Sequence, residues 1–268
     1  MKSVTFVFIV AMAIVASACG KRGGPQIEER EVVYTADGTS MKGTIAYDAS
    51  ITGKRPGILV VHEWWGHNAY ARKRARMLAE LGYTALAVDM YGDGKQADHP
   101  EDAQAFASEV MQNMETARAR FVAALDTLRS QETTDPANIA AIGYCFGGGV
   151  VLHAARMGLD IKGVVSFHGS LATAHPAQQG VVTASVLVCH GEDDNFVTKE
   201  QMEAFKKEME EAGVDYTIIT YPGARHSFTN PDADAFAKEF DMPIAYNKEA
   251  DEKSWADMRV FLDRIFSH

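Results

Sequence analysis

Apolar and polar positions alternate along the chain in two distinct textures. Short unbroken apolar runs of strand length recur at Gly57–His62, Tyr83–Val88, Asn138–Tyr144, Lys162–Phe167, Ser185–Cys189 and Asp215–Tyr221. Runs of that kind predict strands buried on both faces. Between them lie stretches with helical spacing: Ala69–Gly82, Pro100–Ser130 in two segments, Gly147–Met157, Lys199–Ala212 and Asn247–Phe266. Gly82 and Gly213 stand where helices stop, because glycine enters the left-handed conformation of a C-cap without steric cost. Near the start, Val32–Thr35 and Met41–Tyr47 flank Asp37-Gly38, the signature of an antiparallel hairpin. Strands separated by helices require crossovers, so the pattern predicts an α/β fold: a mostly parallel sheet covered by helices on both faces, with an N-terminal hairpin.

The first residues follow a different rule. Lys2 precedes an apolar stretch from Val4 to Val15, and small residues then lead to Cys19. A membrane-spanning helix needs about 20 apolar residues, so this shorter stretch reads as an export signal. Ala16-Ser17-Ala18-Cys19-Gly20 resembles the lipobox of bacterial lipoproteins, with Ala16 in the usual leucine position. That resemblance implies a signal over 1–18 and lipidation of Cys19. The short basic stretch with glycine and proline that follows predicts a tether over 19–30, and with no later linker the remainder reads as one domain over 31–268. The lipobox resemblance also implies an exported protein anchored at the cell envelope, or secreted if the anchor is not added. The net charge of −10 argues against a broad nucleic-acid or anionic-lipid surface. Membrane contact is therefore expected only through the N-terminal lipid. With the signal set aside, Cys145 and Cys189 are the remaining cysteines, too few for a disulfide scaffold.

One turn carries most of the candidate chemistry. Gly143-Tyr144-Cys145-Phe146-Gly147 lies where an apolar strand meets a helix and reads G-x-C-x-G, a nucleophile-elbow pattern with cysteine in place of serine. Glycine suits both flanks because a side chain there would strike the neighbouring strand or helix. Cys145 would sit at a helix N-terminus, where the dipole favours thiolate, and the Phe146 amide could hold an oxyanion. On such a fold, the acid and histidine follow the nucleophile on loops after later strands. Gly191-Glu192-Asp193-Asp194-Asn195-Phe196-Val197 supplies three carboxylates after one strand, and His226 follows the last strand. His62, Glu63 and His67 miss the spacing of a helical zinc site, and no nucleotide-binding glycine motif is present, so neither metal nor cofactor is expected.

Taken together, V-H-E-W-W-G at 61–66, G-Y-C-F-G-G at 143–148, G-E-D-D-N-F-V at 191–197 and G-A-R-H-S-F at 223–228 resemble the dienelactone hydrolase family of α/β-hydrolases. The resemblance implies a triad of Cys145, Asp194 and His226. It implies that Glu63 contacts the resting thiol and gates its ionisation, with the backbone N–H groups of Trp64 and Phe146 as the oxyanion hole. Two arginines that hold a substrate carboxylate in that family are replaced here by Asp93 and Asn230. Trp64, Trp65, Tyr91, Phe167 and Phe228 are expected at the pocket rim, which would suit a neutral or apolar ester. The expected activity is therefore hydrolysis of a small-molecule carboxylic ester through an acyl-cysteine, with poor turnover of dienelactone itself. Thioester or small-amide hydrolysis uses the same groups, and a non-catalytic envelope binding module is the alternative outside enzymes.

Overall fold

A computed structural model of the protein describes residues 24–267; the expected signal and Cys19 lie outside them. Eight strands form one sheet: β1 (Ile27–Ala36), β2 (Thr39–Asp48), β3 (Arg55–Val61), β4 (Thr84–Val88), β5 (Thr134–Tyr144), β6 (Gly163–Phe167), β7 (Ser185–Gly191) and β8 (Tyr216–Tyr221). Their order is β1-β2-β4-β3-β5-β6-β7-β8. β2 runs antiparallel to both β1 and β4, and all other neighbours are parallel. The helices are α1 (Ala69–Glu80), α2 (Pro100–Met111), α3 (Met114–Arg129), α4 (Phe146–Arg156), α5 (Lys199–Ala212), α6 (Ala233–Phe240) and α7 (Lys248–Phe266).

Alternation along each strand explains the unbroken apolar runs. In β3, Leu59 and Val61 pack toward α3 and α4, while Ile58 and Val60 pack toward α1 and α7. β7 divides in the same way, with Val186 and Val188 on one face and Leu187 and Cys189 on the other. Both faces are covered, so neither tolerates a polar residue. The hairpin turns at Asp37 and Gly38, whose φ values are 50° and 73°, the left-handed pair that a two-residue turn of this type demands. Pairing of β1 with β2 begins at Ile27 opposite Asp48. Residues 27–30, expected within the tether, are therefore strand. α6 also had no counterpart in the expected elements; its Phe236 stacks on Trp65 with ring centroids 4.6 Å apart.

Candidate active site

The parallel strands deliver Glu63, Cys145, Asp194 and His226 to one end of the sheet, beyond the C-terminal ends of β3, β5, β7 and β8. Ligand sites of open α/β sheets gather at that end. Cys145 has φ 52° and ψ −114°, an uncommon conformation for a residue with a side chain. A Cβ on Gly143 would lie 2.0 Å from the Gly147 oxygen, and one on Gly147 would lie 2.3 Å from the Val61 oxygen. Both glycines are thus required by contact with backbone that cannot yield. α4 begins at Phe146, so the positive end of its dipole faces the sulfur. Cys145's own amide is shared between Phe167 O at 3.0 Å and His168 Nδ1 at 3.1 Å.

His226 Nδ1 lies 2.9 Å from Asp194 Oδ2, and the ring lines the same cavity as Cys145. With Nδ1 occupied, Nε2 is the nitrogen left for sulfur. Asp194 is fully buried and its Oδ1 accepts the Phe196 N–H at 2.9 Å. Glu192 and Asp193, its rivals in the loop, are exposed. Burial opposes a charge on His226, but the Cys145 sulfur and the Asp194 carboxylate outweigh it and carry the imidazole up to about 10. Opposite charges in a desolvated site have that effect.

Glu63 is buried, and burial raises its carboxyl above the usual range. Asn230 Nδ2 donates to Glu63 Oε2 at 2.6 Å, whereas Oε1 has no partner among the described residues. The resemblance placed Glu63 on the resting thiol. The hydrogen bond that Glu63 makes goes to Asn230, in the position of a family arginine. The other replaced arginine position, Asp93, is exposed and does not line the cavity.

A cavity of about 320 Å³ opens over Cys145 and His226. Trp64, Phe146, Phe196, Val197, Met242 and Ile244 form its apolar wall, and among the described residues no Lys, Arg, Asp or Glu lines it. The Trp64 and Phe146 amides make no hydrogen bond among the described residues, and Tyr91 Oη fixes the Trp64 peptide by donating to its carbonyl at 2.9 Å. Trp65, Tyr91, Phe167 and Phe228, expected at the rim, do not line the cavity; all four are buried. Trp65 lies under α6, Tyr91 packs between Phe106 and Phe146, Phe167 stacks on Tyr144, and Phe228 lies against His168. Large rings at strand ends gain more from close packing than from contact with water. Phe196 and Val197 belong to the acid-loop motif and could have been inferred from it. Met242 and Ile244 follow α6, where no motif marks the chain; Ile244 is placed by pairing with His226.

Beneath Cys145 and His226 lies a second set of polar groups. His168 Nε2 is 2.8 Å from Thr229 Oγ1, which is 2.7 Å from Tyr70 Oη. Arg74 donates to Tyr70 Oη at 3.2 Å and to Thr229 O at 2.6 Å, and pairs with Asp251. The bond from His168 to the Cys145 amide depends on a positive φ of 41° that no sequence pattern announces.

The sheet order and the strand-to-helix turn at Cys145 define an α/β-hydrolase. Within that class, residues 41–266 match the dienelactone hydrolase family, and the chain belongs to it. A dienelactone hydrolase-like promiscuous phosphotriesterase from metagenomic libraries is 36% identical, with TM-score 0.83 over 89% of this chain and 98% of that one. The solved structure m3DLH is 39% identical, with TM-score 0.85 over 91% and 99% of the two chains. Protein usf of Aquifex pyrophilus is 29% identical over 74% of this chain and 86% of its own length.

Proposed function

We propose that the protein hydrolyses a carboxylic ester, with Cys145 as nucleophile, His226 as acid and base, and Asp194 as the carboxylate that orients His226. The carrying observation is the shared geometry: one buried imidazole, bonded at Nδ1 to Asp194, lines the same open cavity as Cys145. In this reading the sulfur attacks the ester carbonyl and the oxyanion rests on the Trp64 and Phe146 amides. His226 then gives its proton to the departing alcohol, leaving an acyl-cysteine. A water, deprotonated by the same ring, releases the acid and restores the thiol.

The uncharged wall favours a neutral acyl group beside the reacting carbon, so dienelactone, with its carboxylate at that place, is a poor substrate. The test is turnover of p-nitrophenyl butyrate by protein lacking residues 1–18, beside Cys145→Ala and His226→Ala. Loss in both variants and recovery of the acyl label on Cys145 support the triad; full activity in either variant removes it. Export and lipidation at Cys19 belong to the same reading, and palmitate labelling that persists in Cys19→Ala would exclude the anchor.

A further inference from the structure

A second cavity, of about 330 Å³, adjoins the first, and Ser170 lines both. The two share their helical walls as well. Gln104 and Ala107 of α2 face the first cavity and Met111 faces the second, a spacing that keeps all three on one helical face. On the opposite side, Gly149, His153 and Arg156 of α4 face the second cavity, continuing the line that starts at Cys145. The helical rise puts His153 about 12 Å and Arg156 about 16 Å along the axis from the nucleophile.

The far end is chemically unlike the near one. Among the described residues no Asp or Glu lines it, although the chain has 36 acidic residues. His153 is only 7% exposed, yet its ring has no hydrogen-bond partner among the described residues; it faces the cavity with the His175 ring 6.1 Å away. Arg156 uses Nε and Nη2 on Glu208 and Leu171 O, while Nη1 has no partner among the described residues. A cation in the last turn of α4 complements the helix dipole. That role explains Arg156 but not the two imidazoles of His153 and His175, which set further ring nitrogens beside the same open space.

We propose that the two cavities form one channel for an elongated acyl chain whose far end is a carboxylate, held by Arg156 Nη1, His153 and His175. The proposal deepens the ester-hydrolase reading and rests on it for the position of the reacting carbonyl. It moves the cationic anchor from the reacting centre to the far end of the acyl group.

The test uses p-nitrophenyl monoesters of succinic, suberic and dodecanedioic acids, each beside its methyl-capped counterpart. For the long acids, the free carboxylate raises kcat/KM over the capped ester by about tenfold or more, as charge-assisted hydrogen bonds allow. Succinate, too short to reach, shows no preference. His153→Leu/His175→Ala brings the long-chain ratio close to one. A wild-type ratio of one for every length, or a preference that survives in the double variant, overturns the channel. Calorimetry of Cys145→Ala with monomethyl dodecanedioate decides the matter independently of turnover: heat lost on adding the two histidine substitutions supports the subsite, and no heat in their presence or absence overturns it. If p-nitrophenyl butyrate is also inert with the wild type, the catalytic reading fails while the calorimetry still judges the channel.

Discussion

His168 and His226 lie with ring centroids 5.1 Å apart, and their surroundings drive them in opposite directions. His226 faces a carboxylate and a sulfur and is raised to about 10. His168 is lowered well below the ordinary value, by burial first and then by the nearby His226 and Arg74. Hydrogen bonding fixes the same assignment. His168 Nδ1 accepts the Cys145 N–H, and an amide can only donate, so that nitrogen carries no proton. Nε2 therefore holds the hydrogen and donates it to Thr229 Oγ1. A charged His168 would lose its hold on Cys145 and repel the imidazolium beside it. The site thus concentrates positive charge on the ring bonded to Asp194 and uses the neutral ring to hold the Cys145 backbone.

The largest effects belong to the charged side. Replacing Cys145 or His226 by alanine lowers kcat by about 10⁴-fold or more, as loss of either member of a nucleophile–base pair does. Asp194→Asn keeps the shape but alters the partner of Nδ1, at a loss of about 10²–10⁴-fold. The pH profile separates this from misfolding. Proton transfer to the leaving group needs charged His226, so kcat/KM falls on the alkaline side as that ring deprotonates near pH 10. Asp194→Asn removes one raising contribution, and the alkaline limb moves to lower pH by about 1 unit or more. Stability follows the same sign. The His226 cation contributes fully below its ordinary 6.5, and that contribution is lost as pH rises through about 10. Urea denaturation of wild type and His226→Gln should therefore converge between those values.

The neutral side gives a smaller and different loss. His168→Phe fills the ring's volume and removes both hydrogen bonds; kcat drops by about 10- to 100-fold with little change in KM, as expected when a nucleophile is misplaced. His168→Asn recovers part of the loss, because its carbonyl can accept the Cys145 N–H and asparagine tolerates a positive φ. Its side chain is too short to reach Thr229. A purely structural role would lower the melting temperature of both variants together with kcat, without rescue by the polar one.

What could be read from the chain divides along the same line. The strand order's framework was visible because runs such as Gly57–His62 must be apolar on both faces, and the elbow was visible because Gly143 and Gly147 are forced by contact with backbone. Asp194 and His226 stood out as loop residues after strands; the preference for Asp194 over its exposed neighbours came from motif resemblance, and the 2.9 Å bond supplies its physical basis. The aromatic rim misled, because composition does not tell whether a ring at a strand end faces substrate or core. Asn230 on Glu63, and His168 on Cys145, join residues 167 and 23 positions apart. Such pairings depend on tertiary register and leave no local pattern. α6 and the Met242–Ile244 wall escaped for a related reason: their burial is against Trp65 and His226, not along a regular amphipathic face.

The smallest expected change tests how far the clamp extends from the reacting atoms. Thr229→Val keeps the shape of the side chain but removes the oxygen between His168 Nε2 and Tyr70 Oη. His168 and Tyr70 are both buried, and groups left without partners there cost about 1–3 kcal/mol of stability. The amide of Cys145 is still met by His168 Nδ1, so kcat should fall less than about tenfold, well short of His168→Phe. The asymmetry matters more than the size: stability lost without a matching loss in rate places Thr229 in the support of the clamp, one bond removed from the nucleophile. A rate loss equal to that of His168→Phe would mean that the ring's orientation, rather than its bond to Cys145, is what the site requires.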